Sequence, residues 1–174
     1  MKKAVFLDRD GVINEVLSDR VKYVNHPSQF YLLDGVGEAI RLLNEQNFEV
    51  FVVTNQGGVG LGFMTEQRLI DIHEKMKRDI ATFGGQIRDI SYCIHKPKEG
   101  CLCRKPGSKM ITDLAEKYEI DLTKSFMVGD RDVDILAGKK AGVVTILVGD
   151  ETVDHADYHF PSLLDAANWL VNNG

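Results

Sequence analysis

The chain lacks the features that would place it in a membrane or outside the cell. No apolar run approaches the roughly 18 residues needed to cross a bilayer. Met1-Lys2-Lys3 leads straight into Ala4-Val5-Phe6-Leu7 and then into charge, without the pattern of a secretion signal. Cysteines number three, an odd count, and all fall between positions 93 and 103, which suits a metal site in a reducing compartment better than a disulfide framework. A cytoplasmic location is therefore expected. Positive charge is also scarce: 21 Lys and Arg against 26 Asp and Glu leave a net charge of −5. Such a chain has no general attraction to nucleic acid or to an anionic membrane surface, so neither partner is expected, and any anionic ligand must be held by a local group of cations. Internal repeats and low-complexity linkers are missing as well. The 174 residues are accordingly expected to form one domain, 1–174, and a monomer.

What is present is an alternation of short, β-rich apolar runs with longer segments of helical period, the pattern of an α/β protein whose mainly parallel sheet is wrapped by helices. Strands are expected at Ala4 to Leu7, Val50 to Val53, Ile90 to Ile94, Ser125 to Val128 and Val143 to Leu147, with a short edge strand at Tyr158 to Phe160. Their nearly continuous apolar character fits strands covered on both faces. Helical stripes run through Val36, Ala39, Ile40 and Leu43 after an N-cap at Asp34, and through Leu69, Ile72, Met76, Ile80 and Phe83 after a cap at Thr65. Three more follow: one around Met110 to Tyr118, one after Asp132, and a last one carrying Trp169. These stripes are read as core.

In an open α/β sheet the ligand sits beyond the carboxyl ends of the strands. There the sequence places Asp8, Asp10 and Gly11 after the first strand, Thr54, Asn55 and Gln56 after the second, and Gly129, Asp130, Arg131, Asp132 and Asp134 after the fourth. Two carboxylates two residues apart at a strand end repel each other unless a cation or a proton intervenes, and adding Asp130 makes an all-oxygen set of the kind Mg²⁺ prefers. Phosphoryl transfer suits this set. Asp8 is positioned to act as a nucleophile, Asp10 to protonate a leaving alcohol and then activate water, and Thr54 and Lys105 to bind oxygens on which charge gathers. The plainer account of Asp8 and Asp10, a polar turn, does not explain the other groups converging on the same edge.

These residues closely resemble the haloacid dehalogenase-like superfamily of phosphatases. Asp8-Arg9-Asp10-Gly11-Val12-Ile13-Asn14 looks like its first motif, Thr54-Asn55-Gln56 its second, Lys105 its third, and Gly129-Asp130-Arg131-Asp132-Val133-Asp134 its fourth. The resemblance implies a three-layer Rossmann-like fold with no large cap domain, hydrolysis through an aspartyl-phosphate on Asp8, and Mg²⁺ held by Asp8, the backbone carbonyl of Asp10 and Asp130. Asp134 would orient the metal site. Within the superfamily the chain is similar to the D-glycero-D-manno-heptose 1,7-bisphosphate 7-phosphatases and to the related histidinol-phosphate phosphatases, which place a zinc loop before the third-motif lysine. That likeness implies a small phosphorylated metabolite as partner, a sugar bisphosphate first and histidinol phosphate second. In the heptose enzymes the arginine and lysine of the run after the zinc loop contact the substrate, which carries over to Arg104 and Lys105; Arg9, Asn55, Gln56, Gly57 and Arg131 are further candidates for substrate contact.

Cys93, His95, Cys101 and Cys103 make up the zinc loop, residues 93–103, and run directly into Arg104-Lys105-Pro106. Three thiolates and one imidazole complete a closed tetrahedral shell with no place for water, so Zn²⁺ there is expected to be structural. The competing account, free thiols around a buried Cys93, leaves unexplained why every cysteine of the chain falls in this one pattern. Only Lys96 to Gly100 separate His95 from Cys101, a shorter spacing than in many heptose enzymes, while the segment Val16 to Lys22 is longer; both flank the expected sugar pocket. Arg131 stands where a lysine is common. His26, His73, His155 and His159 share no motif and are read as structural or exposed. From another class, a non-catalytic zinc-stabilised binding module would have the same fold, but it would have no need to keep all of Asp8, Asp10, Thr54, Lys105 and Asp130.

Overall fold

A computed structural model describes residues 1–174. Six strands form one parallel sheet: β1 (Lys3–Leu7), β2 (Phe48–Asn55), β3 (Asp89–Cys93), β4 (Phe126–Gly129), β5 (Val144–Val148) and β6 (Tyr158–Phe160). Their order is β3-β2-β1-β4-β5-β6. The chain thus builds outward from β1 in one direction, returns, and builds outward from β4 in the other, so the crevice between β1 and β4 is the switch point at which α/β sheets place their ligands.

Six helices cover the sheet: α1 (Val36–Glu45), the single turn α2 (Gly57–Gly60), α3 (Glu66–Ala81), α4 (Lys109–Tyr118), α5 (Asp132–Ala141) and α6 (Leu163–Asn173). Successive strand side chains point to opposite faces, and the core divides accordingly. Val5, Leu7, Val50 and Val52 pack with α1, α3 and α6 on one face; Ala4, Phe6, Phe51 and Val53 pack with α4 on the other, together with Ala137 of α5. Such three-layer packing buries both sides of β1 completely from Ala4 to Leu7, which accounts for the unbroken apolar run there.

Two local expectations are corrected. The N-cap of α1 is Gly35, at φ 79°, and not Asp34. Helix α3 ends at Ala81, so Phe83 lies beyond it; its ring packs so closely on Gly37 that any Cβ there would collide with it. Thr65 does cap α3, its side-chain oxygen accepting the Arg68 N–H at 3.1 Å. No helix is long and apolar enough to cross a membrane.

Candidate active site

Every expected catalytic side chain lies at the carboxyl edge of the sheet. Asp8 follows β1 directly and is anchored by its N–H, which donates to the Val128 carbonyl of β4 at 3.0 Å. Lys105 reaches across from the loop before α4. Its ammonium is only 3% exposed and donates to Asp8 Oδ1 (2.8 Å), Asp134 Oδ1 (2.6 Å) and the Val53 carbonyl (2.9 Å). Burial works against that charge, but Asp8 and Asp134 outweigh it and hold the ammonium above the usual lysine range. The lysine backbone is fixed separately. Asn55 accepts the Lys105 N–H at 2.9 Å and donates to the Lys105 carbonyl at 3.1 Å, clamping the loop to the end of β2.

Carboxylate oxygens of Asp8, Asp130 and Asp134 lie within 4.8 Å of one another. Three carboxylates against one ammonium leave excess negative charge. Burial and Asp134 push Asp8 well above the usual carboxylate range, and the same two causes raise Asp130 to about 6. Asp130 Oδ1 is buried with no hydrogen-bond partner, a costly state for a carboxylate unless a cation meets it. The Asp10 carbonyl accepts no hydrogen bond either. These oxygens fit a hard divalent cation such as Mg²⁺. Backbone must approach them closely: at Gly11, with φ 83°, a Cβ would collide with the Asp130 carboxylate.

The side chain of Asp10 is held differently. Its Oδ1 accepts from Arg9 Nε (3.0 Å), Arg9 Nη2 (2.7 Å) and Asn14 Nδ2 (3.0 Å), while Oδ2 accepts from Gln56 Nε2 at 3.1 Å. Burial raises its pKa, but Arg9, Asn14 and Gln56 together outweigh it and leave the carboxyl below the usual range. Gln56 also donates to Thr54 Oγ1 at 2.8 Å, linking the first two motifs.

A cleft of about 720 Å³ opens above this cluster, bounded by Val16, Leu17 and Tyr23 on one side and by Gly149 to Glu151 on the other, with Arg131 at its edge. Only loops overhang it. A larger hollow, about 850 Å³, lies at the opposite ends of the strands among Lys2, Lys3, Phe48 and Arg88, and holds none of these groups; chemistry, not size, locates the site.

Several expected substrate contacts fall elsewhere. Arg9 is 1% exposed and turned beneath the site toward Asp10 and His73, so it braces the Asp10 carboxylate and does not open onto the cleft. Asn55 does line the cleft, but its amide is committed to Lys105. Gly57 sits against the His95 carbonyl and the Arg104 guanidinium, and Arg104 Nη1 lies 3.4 Å from that carbonyl, beside the zinc loop and outside the lining of the cleft. Sequence reasoning passed over His73. Its ring is buried on α3, with Nε2 3.2 Å from Arg9 Nη1. Its spacing from Leu69, Ile72, Met76 and Ile80 places it on the buried stripe of that helix, which was the available signal.

The four zinc-loop candidates also converge. Sγ of Cys93 lies 2.7 Å from that of Cys103 and 3.5 Å from that of Cys101, and the four donor atoms including His95 fall within 4.8 Å of one another. Burial and the neighbouring Cys103 thiol push Cys93 up to about 12, so a cation is needed to turn that thiol into a thiolate. A Cys₃His donor set of this size fits Zn²⁺.

Residues 102–168 match the HAD-hydrolase-like family model. A D-glycero-beta-D-manno-heptose-1,7-bisphosphate 7-phosphatase from Rhodopseudomonas palustris is 37% identical over 88% of this chain and 87% of its own length. A D-glycero-alpha-D-manno-heptose-1,7-bisphosphate 7-phosphatase from Campylobacter jejuni is 33% identical over 97% and 95%. Among solved structures, the D,D-heptose 1,7-bisphosphate phosphatase from B. bronchiseptica, complexed with magnesium and phosphate, superposes with a TM-score of 0.90 at 34% identity, covering 99% of each chain. With the converging carboxylates and lysine at its switch point, the chain belongs to the haloacid dehalogenase-like hydrolases and is a phosphatase.

Proposed function

We propose that this phosphatase removes the 7-phosphate of D-glycero-D-manno-heptose 1,7-bisphosphate in the cytoplasm, with Mg²⁺ held by Asp8, the Asp10 carbonyl and Asp130. The names of its relatives support the substrate, and they include both the α and the β anomer. The observation that carries the chemistry is Asp8 at the floor of the cleft, in contact with Lys105 and beside the unpartnered oxygen of Asp130. When bound, Mg²⁺ neutralises phosphate oxygens and the carboxylates that would otherwise repel them.

An Asp8 oxygen attacks phosphorus and the ester P–O bond breaks, leaving an aspartyl-phosphate on Asp8. Asp10 gives its proton to the departing alkoxide; the charge of the bound phosphate raises the carboxyl's proton affinity against the pull of Arg9. Asp10 then accepts a proton from water as the water oxygen attacks phosphorus, releasing phosphate and restoring Asp8. The positive charge of Lys105, whose three N–H donors are engaged by Asp8, Asp134 and Val53, and the Thr54 hydroxyl stabilise the oxygens that gain charge. Zn²⁺ on Cys93, His95, Cys101 and Cys103 holds the loop that delivers Arg104 and Lys105.

Phosphate release from the α and β heptose bisphosphates, histidinol phosphate and simple sugar phosphates tests the reading. A heptose bisphosphate is expected to lead by more than about tenfold in kcat/KM, or about 1.4 kcal/mol of transition-state discrimination. Asp8→Asn is expected to abolish turnover, and activity surviving in that variant would remove Asp8 from the nucleophile's role.

A further inference from the structure

The Asp10 carboxyl presents two unlike oxygens. Oδ1 accepts three hydrogen bonds, two from Arg9 and one from Asn14, and has no capacity left. Oδ2 accepts one, from Gln56. Only Oδ2 is therefore free to carry a travelling proton, and which oxygen takes that role is decided by where the Arg9 guanidinium sits.

That guanidinium is buried, and its remaining outer nitrogen, Nη1, meets His73 Nε2 at 3.2 Å. Guanidinium nitrogens only donate, so Nε2 accepts and the ring proton resides on Nδ1. His73 is itself 4% exposed, fixed in α3 among Leu69, Ile72 and Met76. The position demands a neutral acceptor on a stiff side chain. An apolar residue there leaves buried donors unpaired. A carboxylate would compete with Asp10 for the same cation.

We propose that His73 is a positioning residue for the reaction: from α3, outside all four motifs, it pins Arg9 so that Arg9 saturates Asp10 Oδ1 and leaves Oδ2 to deliver the proton to the leaving group. The inference rests on Asp10 acting as the acid. A role of this kind affects esters whose leaving group needs a proton and spares those whose leaving group does not, whereas a merely structural role lowers both alike.

The test compares kcat/KM, which covers the steps through departure of the leaving group, for heptose 1,7-bisphosphate (or any primary alkyl phosphate the enzyme cleaves) and for p-nitrophenyl phosphate. Asp10→Asn is expected to lose about 10²-fold or more on the alkyl ester and far less on the aryl one. His73→Leu is expected to follow it in kind, losing about tenfold or more on the alkyl ester and less than about threefold on the aryl ester. His73→Gln, which offers an acceptor in the same place, is expected to recover most of the alkyl activity. Should His73→Leu fail to fold, His73→Asn, polar but too short to reach Arg9, takes its place. If Asp10→Asn discriminates between the esters and the His73 variants lose both equally, the role of His73 is overturned alone. If Asp10→Asn itself loses both equally, the acid–base reading falls and this inference with it.

Discussion

Asp8, Asp134 and Lys105 show what one buried cation can organise. All three N–H donors of the Lys105 ammonium are spent within 2.9 Å, so the lysine cannot drift, and Asp8 is held in place at the end of β1. His73 is the neutral counterpart of that arrangement. Burial and the nearby Arg9 and Lys77 charges lower its pKa from the usual 6.5 to about 3, with Asp10 opposing them. A histidine depressed in the folded state contributes stability that is complete above about pH 6.5 and lost as pH falls toward 3, because the unfolded chain takes the proton first. The loss amounts to at most about 1.4 kcal/mol per pH unit across that window. Urea titrations of the wild type and of His73→Gln at pH 7, 5 and 4 should therefore show the gap in stability between them closing, or reversing in favour of the variant, as the solution is acidified. A gap that stays constant would mean that the imidazole is not buried neutral.

At the scale of elements, legibility from sequence followed burial. Residues 4–7, 50–53 and 126–128 of β1, β2 and β4 read clearly because both faces are covered and each is an unbroken apolar run, and the polar residues that follow them announced the site. Arg9 did not read correctly. It was a candidate for substrate contact, but a side chain at a strand end turns to either face, and here Arg9 turns toward His73 of α3. Gly35 displaced Asp34 as a cap for a similar reason: the chain enters α1 in a left-handed conformation that glycine adopts freely. The zinc loop is the element most dependent on something besides packing. Between Ile94 and Arg104 it is largely exposed, with Leu102 78% accessible, so little core holds it. Chelation of the metal is expected to make this segment the first site of proteolysis, with the sheet intact, and Cys101→Ser is expected to do the same without a chelator; limited proteolysis with mass mapping reads both. Cleavage beginning elsewhere would show that packing and not metal orders the loop.

The whole molecule is a sheet grown in two directions from a single crevice. The cleft is lined by groups from the ends of β1 and β2, the loop before α4, the end of β4 and α5, so a ligand bound there would join both halves of the sheet. Phosphate and Mg²⁺ together, each at about a hundredfold above its dissociation constant, are expected to stabilise the fold by about 2.7 kcal/mol or more, a rise in Tm of roughly 5–10 °C for a chain of this size. Scanning fluorimetry with phosphate alone, Mg²⁺ alone and both checks this; an equal rise from phosphate in the presence of EDTA would place the anion somewhere other than over the carboxylates.

The amide of Asn55 grips both polar groups of one peptide unit, the N–H and the carbonyl of Lys105. The backbone of Lys105 therefore has two anchors, the end of β2 and the loop that precedes it, so a disturbance in the loop reaches the lysine only against the grip of the sheet.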